Sequence, residues 1–184
     1  MNRLTALLIL VLIIGCREKK RDSSKAYFSV VEFLHGEIAR MDTSHYTITK
    51  IETSNDISDT TVIPKKDFRK YANDFLTLPD ISSDEKHEFY DESNTYDEDL
   101  KSVLLTYIPK NDQEQIRRET LILQPNEVGN SDVKTILVNR FMPGKDSTVE
   151  KELTWHVGRR FQVVTKTSRG NEPEKISTLV IAWQ

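Results

Sequence analysis

The spacing of apolar residues along the chain changes at about residue 102. From there to the carboxyl end, apolar and polar residues alternate, which is typical of strands with one buried and one solvated face. Short runs rich in Gly, Pro, Asn and Asp separate these segments, and connections this short join antiparallel neighbours. The pattern predicts a meander of about six strands, at residues 103–108, 116–123, 133–142, 148–157, 161–167 and 176–183.

Two segments before residue 80 show helical spacing instead. The first has Ser29 as a predicted N-cap with Glu32 three residues later, and Phe28 and Phe33 are placed to pack on each other across the cap. The second follows Pro64, and its apolar face consists of Phe68, Tyr71, Ala72, Phe75 and Leu76. We therefore expect an α+β fold in which two N-terminal helices pack on one face of a curved antiparallel meander of about six strands.

Three further stretches have weaker patterns. Residues 46–52 alternate and are rich in Thr and Ile, which predicts a strand, whereas the polar residues 55–61 predict a loop. Residues 84–99 are the most acidic part of the chain. They lack the central Gly and the closing Glu of an EF-hand loop. We therefore predict a solvated acidic loop there, partly an irregular strand, in preference to a calcium site.

The amino end carries a third pattern. Arg3 precedes an almost unbroken apolar run at residues 4–14, and the run ends at Gly15 and Cys16, the only cysteine of the chain. A helix of this length measures about 16 Å, roughly half of the hydrocarbon core of a bilayer. The run therefore matches the apolar region of a secretory signal, and a membrane anchor left in place is the less favoured alternative.

The residues before Cys16 resemble the lipobox of bacterial lipoproteins, with Ile13 at position −3, Gly15 at −1 and then the cysteine. This resemblance implies cleavage by signal peptidase II and acylation of the Cys16 thiol and of the new amino group. It divides the chain into a signal peptide at residues 1–15, a lipidated Cys16 with a polar tether at residues 16–28, and a single domain at residues 29–184.

The same resemblance bears on location. Arg17 stands where an Asp marks retention in the inner membrane of enteric bacteria, and residues 17–21 are basic in balance, unlike the acidic run of surface-exposed lipoproteins in the Bacteroidota. We therefore expect a lipid anchor in the outer membrane and a domain that faces the periplasm. Scattered positions of the mature chain also resemble a group of small uncharacterised Bacteroidota lipoproteins, which implies no activity: Phe28-Ser29-Val30, Phe33, Glu37, Lys50, Asp67-Phe68, Phe75 and Asp80-Ile81.

The composition offers little reactive chemistry. A formal net charge of −3 is too close to neutral to indicate nucleic acid as a partner. The sequence lacks a Gly-x-Ser-x-Gly elbow, and its single cysteine is assigned to lipid. The histidines stand apart in the sequence, at His35, His45, His87 and His156. We therefore predict no catalytic residues, no metal site and no cofactor, and hence not an enzyme.

Three aromatic residues of the predicted sheet, Trp155, Phe161 and Trp183, are the candidates for lining a ligand pocket, although aromatic residues at such positions usually form core. The function most consistent with the sequence is a lipid-anchored, non-catalytic binding or interaction module of the cell envelope, with another envelope protein as partner. The alternative is a carrier of an apolar ligand or lipid held between the sheet and the helices.

The lipobox generates the first testable prediction. Because Cys16 would carry the acyl chains, we expect Cys16→Ser to leave the chain unprocessed or to release it from the membrane fraction. Cell fractionation together with the intact mass of the protein checks this. A Cys16→Ser variant that stays in the membrane fraction with an unchanged mature mass would contradict the lipoprotein assignment.

Overall fold

The structure, a computed structural model, describes residues 27–184, so the predicted signal peptide, Cys16 and most of the tether lie outside the described residues. Strands are its main elements: β1 (Ile48–Ser54), β2 (Ile57–Ile63), β3 (Tyr90–Asp97), β4 (Ser102–Pro109), β5 (Ile116–Pro125), β6 (Ser131–Pro143), β7 (Thr148–His156), β8 (Arg160–Ser168) and β9 (Lys175–Trp183). All nine belong to one antiparallel sheet in the order β2-β1-β9-β8-β7-β6-β5-β4-β3.

The sheet is assembled from a meander and a hairpin. From β3 to β9 each strand pairs with the next one in the sequence. The hairpin of β1 and β2 then joins the other side of β9, with Ile48 opposite Trp183, and backbone hydrogen bonds between Thr47 and Gln184 extend the pairing. The last strand of the chain therefore lies inside the sheet, and β2 and β3 form its two edges.

The first predicted helix is confirmed as α1 (Val30–Thr43). The Glu32 N–H donates to the Ser29 side-chain oxygen at 3.2 Å, which caps the helix as expected. The rings of Phe28 and Phe33 lie 5.7 Å apart, as predicted for a hydrophobic staple. The buried residues of α1 form one stripe: Val30, Leu34, Glu37, Ile38 and Met41.

The start of α1 is attached to the β3 side of the sheet. The Tyr27 hydroxyl donates to the Tyr90 carbonyl at 2.8 Å, and the Phe28 N–H donates to the Tyr107 hydroxyl at 3.1 Å. The end of α1 leads directly into β1 at the opposite side. The helix thus crosses one face of the sheet, which we call the inner face.

The predicted second helix is broken into three pieces. After Pro64 come a 3-10 turn (Lys65–Asp67), α2 (Phe68–Tyr71) and α3 (Asn73–Leu76). Ala72, between α2 and α3, has φ −81° and ψ 4°, and neither short helix has a side-chain cap. Helices of one turn are not stable by themselves. Burial of their aromatic side chains in the core therefore determines where they lie.

The predicted loop at residues 55–61 is a turn followed by most of β2. Asn55 and Asp56 have φ of 50° and 63°, the backbone conformation of a two-residue type I′ hairpin turn. The strand that follows is exposed on both faces except at Ile63. Because no face of β2 is buried, its sequence shows no alternation of apolar and polar residues, and for this reason the strand was not predicted.

The acidic stretch at residues 84–99 contains β3. This strand also lacks a buried face, so its sequence shows no regular alternation of apolar and polar residues. Tyr90 is the one buried residue of this strand. Asp91 and Glu92 follow it at the edge of the sheet, where charged side chains are common because they discourage pairing with other chains.

The predicted architecture of two N-terminal helices on a six-stranded meander is therefore wrong. The six predicted strands correspond to β4–β9, but the sheet contains β1, β2 and β3 as well, and a single long helix lies on it. Both edge strands lacked the period of a half-buried strand, and the apolar face that follows Pro64 belongs to two short helices.

The core lies between the inner face and the three helices. It includes the buried stripe of α1, Phe68 and Phe75 of the short helices, and inward-facing residues of all nine strands. Five of its rings form what we call the aromatic cluster: Phe68, Phe75, Trp155, Phe161 and Trp183.

The aromatic cluster generates a stability prediction. Phe75 is fully buried, so we expect Phe75→Ala to lower the free energy of unfolding by about 3–5 kcal/mol through lost contacts and the cavity left behind. The control is Val128→Ala at a side chain that is 84% exposed, where a change within about 0.5 kcal/mol is expected. Urea unfolding measures both. A loss below about 1 kcal/mol for Phe75→Ala would mean that α3 is not docked on the sheet.

Candidate functional site

The three predicted pocket residues come together on the inner face. Trp155 and Phe161 are directly opposite on β7 and β8 and stack with ring centroids 5.2 Å apart. Trp183 lies 5.5 Å from Trp155. The structure therefore groups the residues that the sequence analysis selected, and it places them at the centre of the sheet.

Side chains of the short helices occupy the space above these rings. Phe75 lies 5.1 Å from the rings of both Trp155 and Phe161, and Phe68 lies 5.5 Å from Trp183. Most of these pairs meet at steep angles, the edge-to-face arrangement that aromatic rings favour. The position that the sequence analysis assigned to a ligand is thus taken by residues of the chain itself.

A buried acid that was not predicted from the sequence, Glu119, lies on β5. Its side chain faces inward and is 1% exposed, and its Oε1 has no hydrogen-bond partner among the described residues. Burial raises the pKa of Glu119 to about 8, and the nearby charge of Asp80 adds to the shift. The carboxyl group is therefore mostly protonated at neutral pH.

A signal for Glu119 was present in the sequence. Counting back by two from the inward-facing Leu121 reaches Glu119, so the alternation predicts an inward position. The alternation was not evident, because Ile116 is also buried although it lies an odd number of residues from Glu119 and Leu121. The pairing of β5 with β6 shifts its register between Ile116 and Arg118, and this irregularity allows both phases to face inward.

The residues around Glu119 hold the start of α1 against the sheet. Tyr107 lies in the neighbouring strand directly opposite Glu119, and its hydroxyl accepts a hydrogen bond from the start of α1. Asp80 accepts hydrogen bonds from Ser29, the cap of α1, and from Ser82. Burial raises the pKa of Tyr107 as well. These groups fix the beginning of α1 against the sheet.

The outer face of the sheet, opposite the helices, carries a row of uncharged side chains that crosses all nine strands. We call it the outer row. From β3 to β2, register pairing aligns Ser93, Thr106, Thr120, Leu137, Thr154, Gln162, Val180, Ile51 and Thr60. At about 4.8 Å between strands the row is roughly 38 Å long. Such a row is notable in a chain of which 30% is charged.

Charged residues border the outer row. On one side lie Arg118 and the ion pair of Glu152 with Lys166, whose atoms are 2.6 Å apart. On the other side lie His156 and Arg160. Burial and the neighbouring arginines lower the pKa of His156, which favours its neutral form. The outer row can offer hydroxyl groups and branched apolar side chains to a flat partner, but no ionic contacts.

Two further observations concern metal binding and the crossing of a membrane. In the part of the chain that the structure describes, no three His, Cys, Asp or Glu side chains are grouped as metal ligands would be, and this part includes the acidic stretch around β3. Within residues 27–184, no helix combines the length and the apolar character that crossing a membrane requires.

No family model, curated protein or solved structure matches this chain. The likeness to bacterial lipoproteins therefore rests on the residues before and around Cys16 and on scattered positions of the mature chain, and the two faces of the sheet are the structural features that bear on function.

The buried acid generates a prediction about pH. Folding raises the pKa of Glu119 from the ordinary value of 4.5 to about 8, so the folded state holds this proton over a wider range than the unfolded chain does. The resulting contribution to stability is complete below the unfolded pKa and is lost as pH rises toward 8. The loss amounts to about 1.4 kcal/mol per pH unit in that window. We expect Glu119→Gln, which keeps the shape but cannot ionise, to be more stable than the wild type at pH 9.

Urea unfolding at pH 5, 7 and 9 measures this difference. The matched control is Glu172→Gln at an exposed position, which should follow the wild type at each pH. Parallel curves for the wild type and the Glu119→Gln variant would show that Glu119 does not titrate in this window.

Proposed function

We propose that the chain is a lipid-anchored, non-catalytic binding module of the cell envelope, which faces the periplasm from the outer membrane and binds another envelope protein through its outer face. The anchor is supported by the lipobox that ends at Cys16. The binding function is supported by one observation above all, the outer row.

The two faces of the sheet differ in what they leave available. On the inner face, α1 and the aromatic cluster bury the apolar side chains of the strands. On the outer face, Leu137, Val180 and Ile51 belong to the same row and remain partly exposed, and the described helices all lie on the other side. A partner seated on the outer row would remove this apolar surface from water, and each Å² buried contributes about 25 cal/mol before the entropic cost of association is subtracted.

The polar members of the outer row indicate how such a partner would be oriented. Threonine hydroxyls can donate and accept, and two of them, on Thr106 and Thr120, are already 3.2 Å apart. Because the row lacks charge, binding should depend little on salt, unlike a contact made by ion pairs. This combination suits an uncharged protein surface.

The alternative of a carrier for an apolar ligand has less support. It required space between the sheet and the helices, and Phe68 and Phe75 fill the region above Trp155, Phe161 and Trp183. A ligand there would have to displace both rings, each of which is fully buried.

Photo-crosslinking in living cells tests the proposal. We expect p-benzoylphenylalanine at Leu137 or Val180, in the middle of the outer row, to give a covalent adduct with another envelope protein after irradiation. The matched control is the same amino acid at Val128, an exposed loop position away from the row. The adduct should form equally well in low-salt and high-salt medium.

Proteinase added to intact cells before irradiation tests the location at the same time. A periplasmic module is protected, so its adduct should persist, whereas a module on the cell surface would be digested. Adducts that form equally at Val128, or no adduct at either position of the row while thermal melting shows a folded variant, would contradict the binding surface.

A further inference from the structure

Strand β2 forms one edge of the sheet, and its side chains and backbone favour pairing with a further strand. Among the described residues its only strand partner is β1, and its other side ends the sheet. Apart from Ile63 its residues are exposed, including Ile57 at 76% and Val62 at 67%. Branched apolar side chains this exposed on an edge strand favour a further strand.

The other edge of the sheet is protected, which makes β2 distinctive. β3 carries Asp91, Glu92 and Asp97, and the Tyr27 hydroxyl already occupies the carbonyl at its first residue. β2 has one charged residue, Asp59, and no lysine or proline. Branched side chains, which favour strands, make up the rest of it except for Ser58. The charged residues that usually prevent an edge strand from pairing with another chain are thus present on β3 and nearly absent from β2.

The hairpin geometry shows which backbone groups of β2 are free. In a two-residue hairpin the residues that flank the turn, here Ser54 and Ile57, form a hydrogen-bonded pair, and such pairs alternate along the ladder. Every second residue from Ile57 onward therefore bonds to β1. The residues between them, Ser58, Thr60 and Val62, direct their N–H and C=O groups to the free edge.

We propose that β2 pairs with β2 of a second copy of this chain, antiparallel, with Thr60 opposite Thr60 at the two-fold axis. In this register Ser58 of each copy lies opposite Val62 of the other. Each outward-facing residue of β2 is then matched by another outward-facing residue, so every free N–H and C=O finds a partner. The two sheets become one continuous sheet.

The side chains favour this register over its neighbours. Asp59 faces Thr61 of the other copy, and Thr61 already donates to Asp59 within its own strand at 3.1 Å. Ile57, which is 76% exposed, lies opposite Ile63 of the other copy, so that two apolar side chains face each other. Sliding the pairing so that Asp59 is at the axis would oppose the two acidic groups, and like charges opposite each other destabilise a strand pair.

The pairing also has a consequence for the outer face. Thr60 is the last member of the outer row, so the two rows would meet at the axis and form one uncharged band across both copies. The pairing itself is argued from the edge of β2 and stands without the binding function proposed above.

Cysteine crosslinking of the full-length chain tests the register. In a hydrogen-bonded antiparallel pair the Cα atoms are about 5.5 Å apart, within the range that a disulfide spans. We expect Thr60→Cys to give a disulfide-linked dimer on mild oxidation. The matched control is Ser58→Cys, whose two copies would lie about 13 Å apart along the strands. The wild type, with Cys16 alone, gives the background.

Charge repulsion tests the same contact without a covalent bond. Thr60→Lys places two ammonium groups opposite each other at the axis, and we expect it to shift the purified protein from dimer to monomer in sedimentation equilibrium. Thr95→Lys puts the same charge on the outer face of the other edge strand, β3, and should leave the dimer intact.

Three outcomes would overturn the proposal: a monomeric wild type, equal crosslinking through positions 58 and 60, or an adduct of the Thr60→Cys variant with a different protein. The last would assign the edge of β2 to another partner. None of these results depends on whether the outer row binds an envelope protein.

Discussion

Burial of the aromatic cluster is the interaction on which the rest of the structure depends. A single sheet has two faces and can be stable only if at least one of them is covered. Here Trp155, Phe161 and Trp183 come from three neighbouring strands, and Phe68 and Phe75 close over them from helices of one turn each. The described chain contains no cysteine, so this packing has no disulfide to support it.

The same packing determines which face of the sheet is available for the proposed binding function. Because the helices of the described chain all lie on the inner face, no described helix covers the outer face, and its central row is uncharged from edge to edge. The carrier with a pocket lined by three aromatic residues, which was the alternative reading of the sequence, thus loses support, and the proposed binding module has a flat surface as its candidate binding site. The outer row consists mostly of threonines and branched apolar side chains, with one residue from each of the nine strands.

The edges of the sheet and its buried acid show how charge is placed. β3 carries acidic residues and needs no cover, whereas β2 is almost uncharged and presents its backbone to solvent. Glu119 is kept in the core by holding its proton, because an ionised carboxylate there would lie near Asp80 without a counter-ion. In both cases the charge of a side chain depends on its position in the sheet, at an edge or in the core.

Several elements of the fold could be predicted from the sequence by itself. Strands β4–β9 alternate because each has one face in the core, and α1 is specified by its cap at Ser29 and its apolar stripe. The resemblance to a lipobox is likewise local, since it rests on Ile13, Gly15 and Cys16. The cap, the apolar stripe and the alternation of β4–β9 lie within short windows, and that is why they could be predicted from the sequence.

Tertiary structure alone decided the rest. The edge strands have no buried face to produce a period, the short helices are held by rings from β7, β8 and β9, and the outer row exists only once nine strands are in register. Whether Trp155, Phe161 and Trp183 line a pocket or form core depended on Phe68 and Phe75, which lie about 80 residues or more from them in the sequence. Burial and register are relations between distant residues, so no local pattern could determine them.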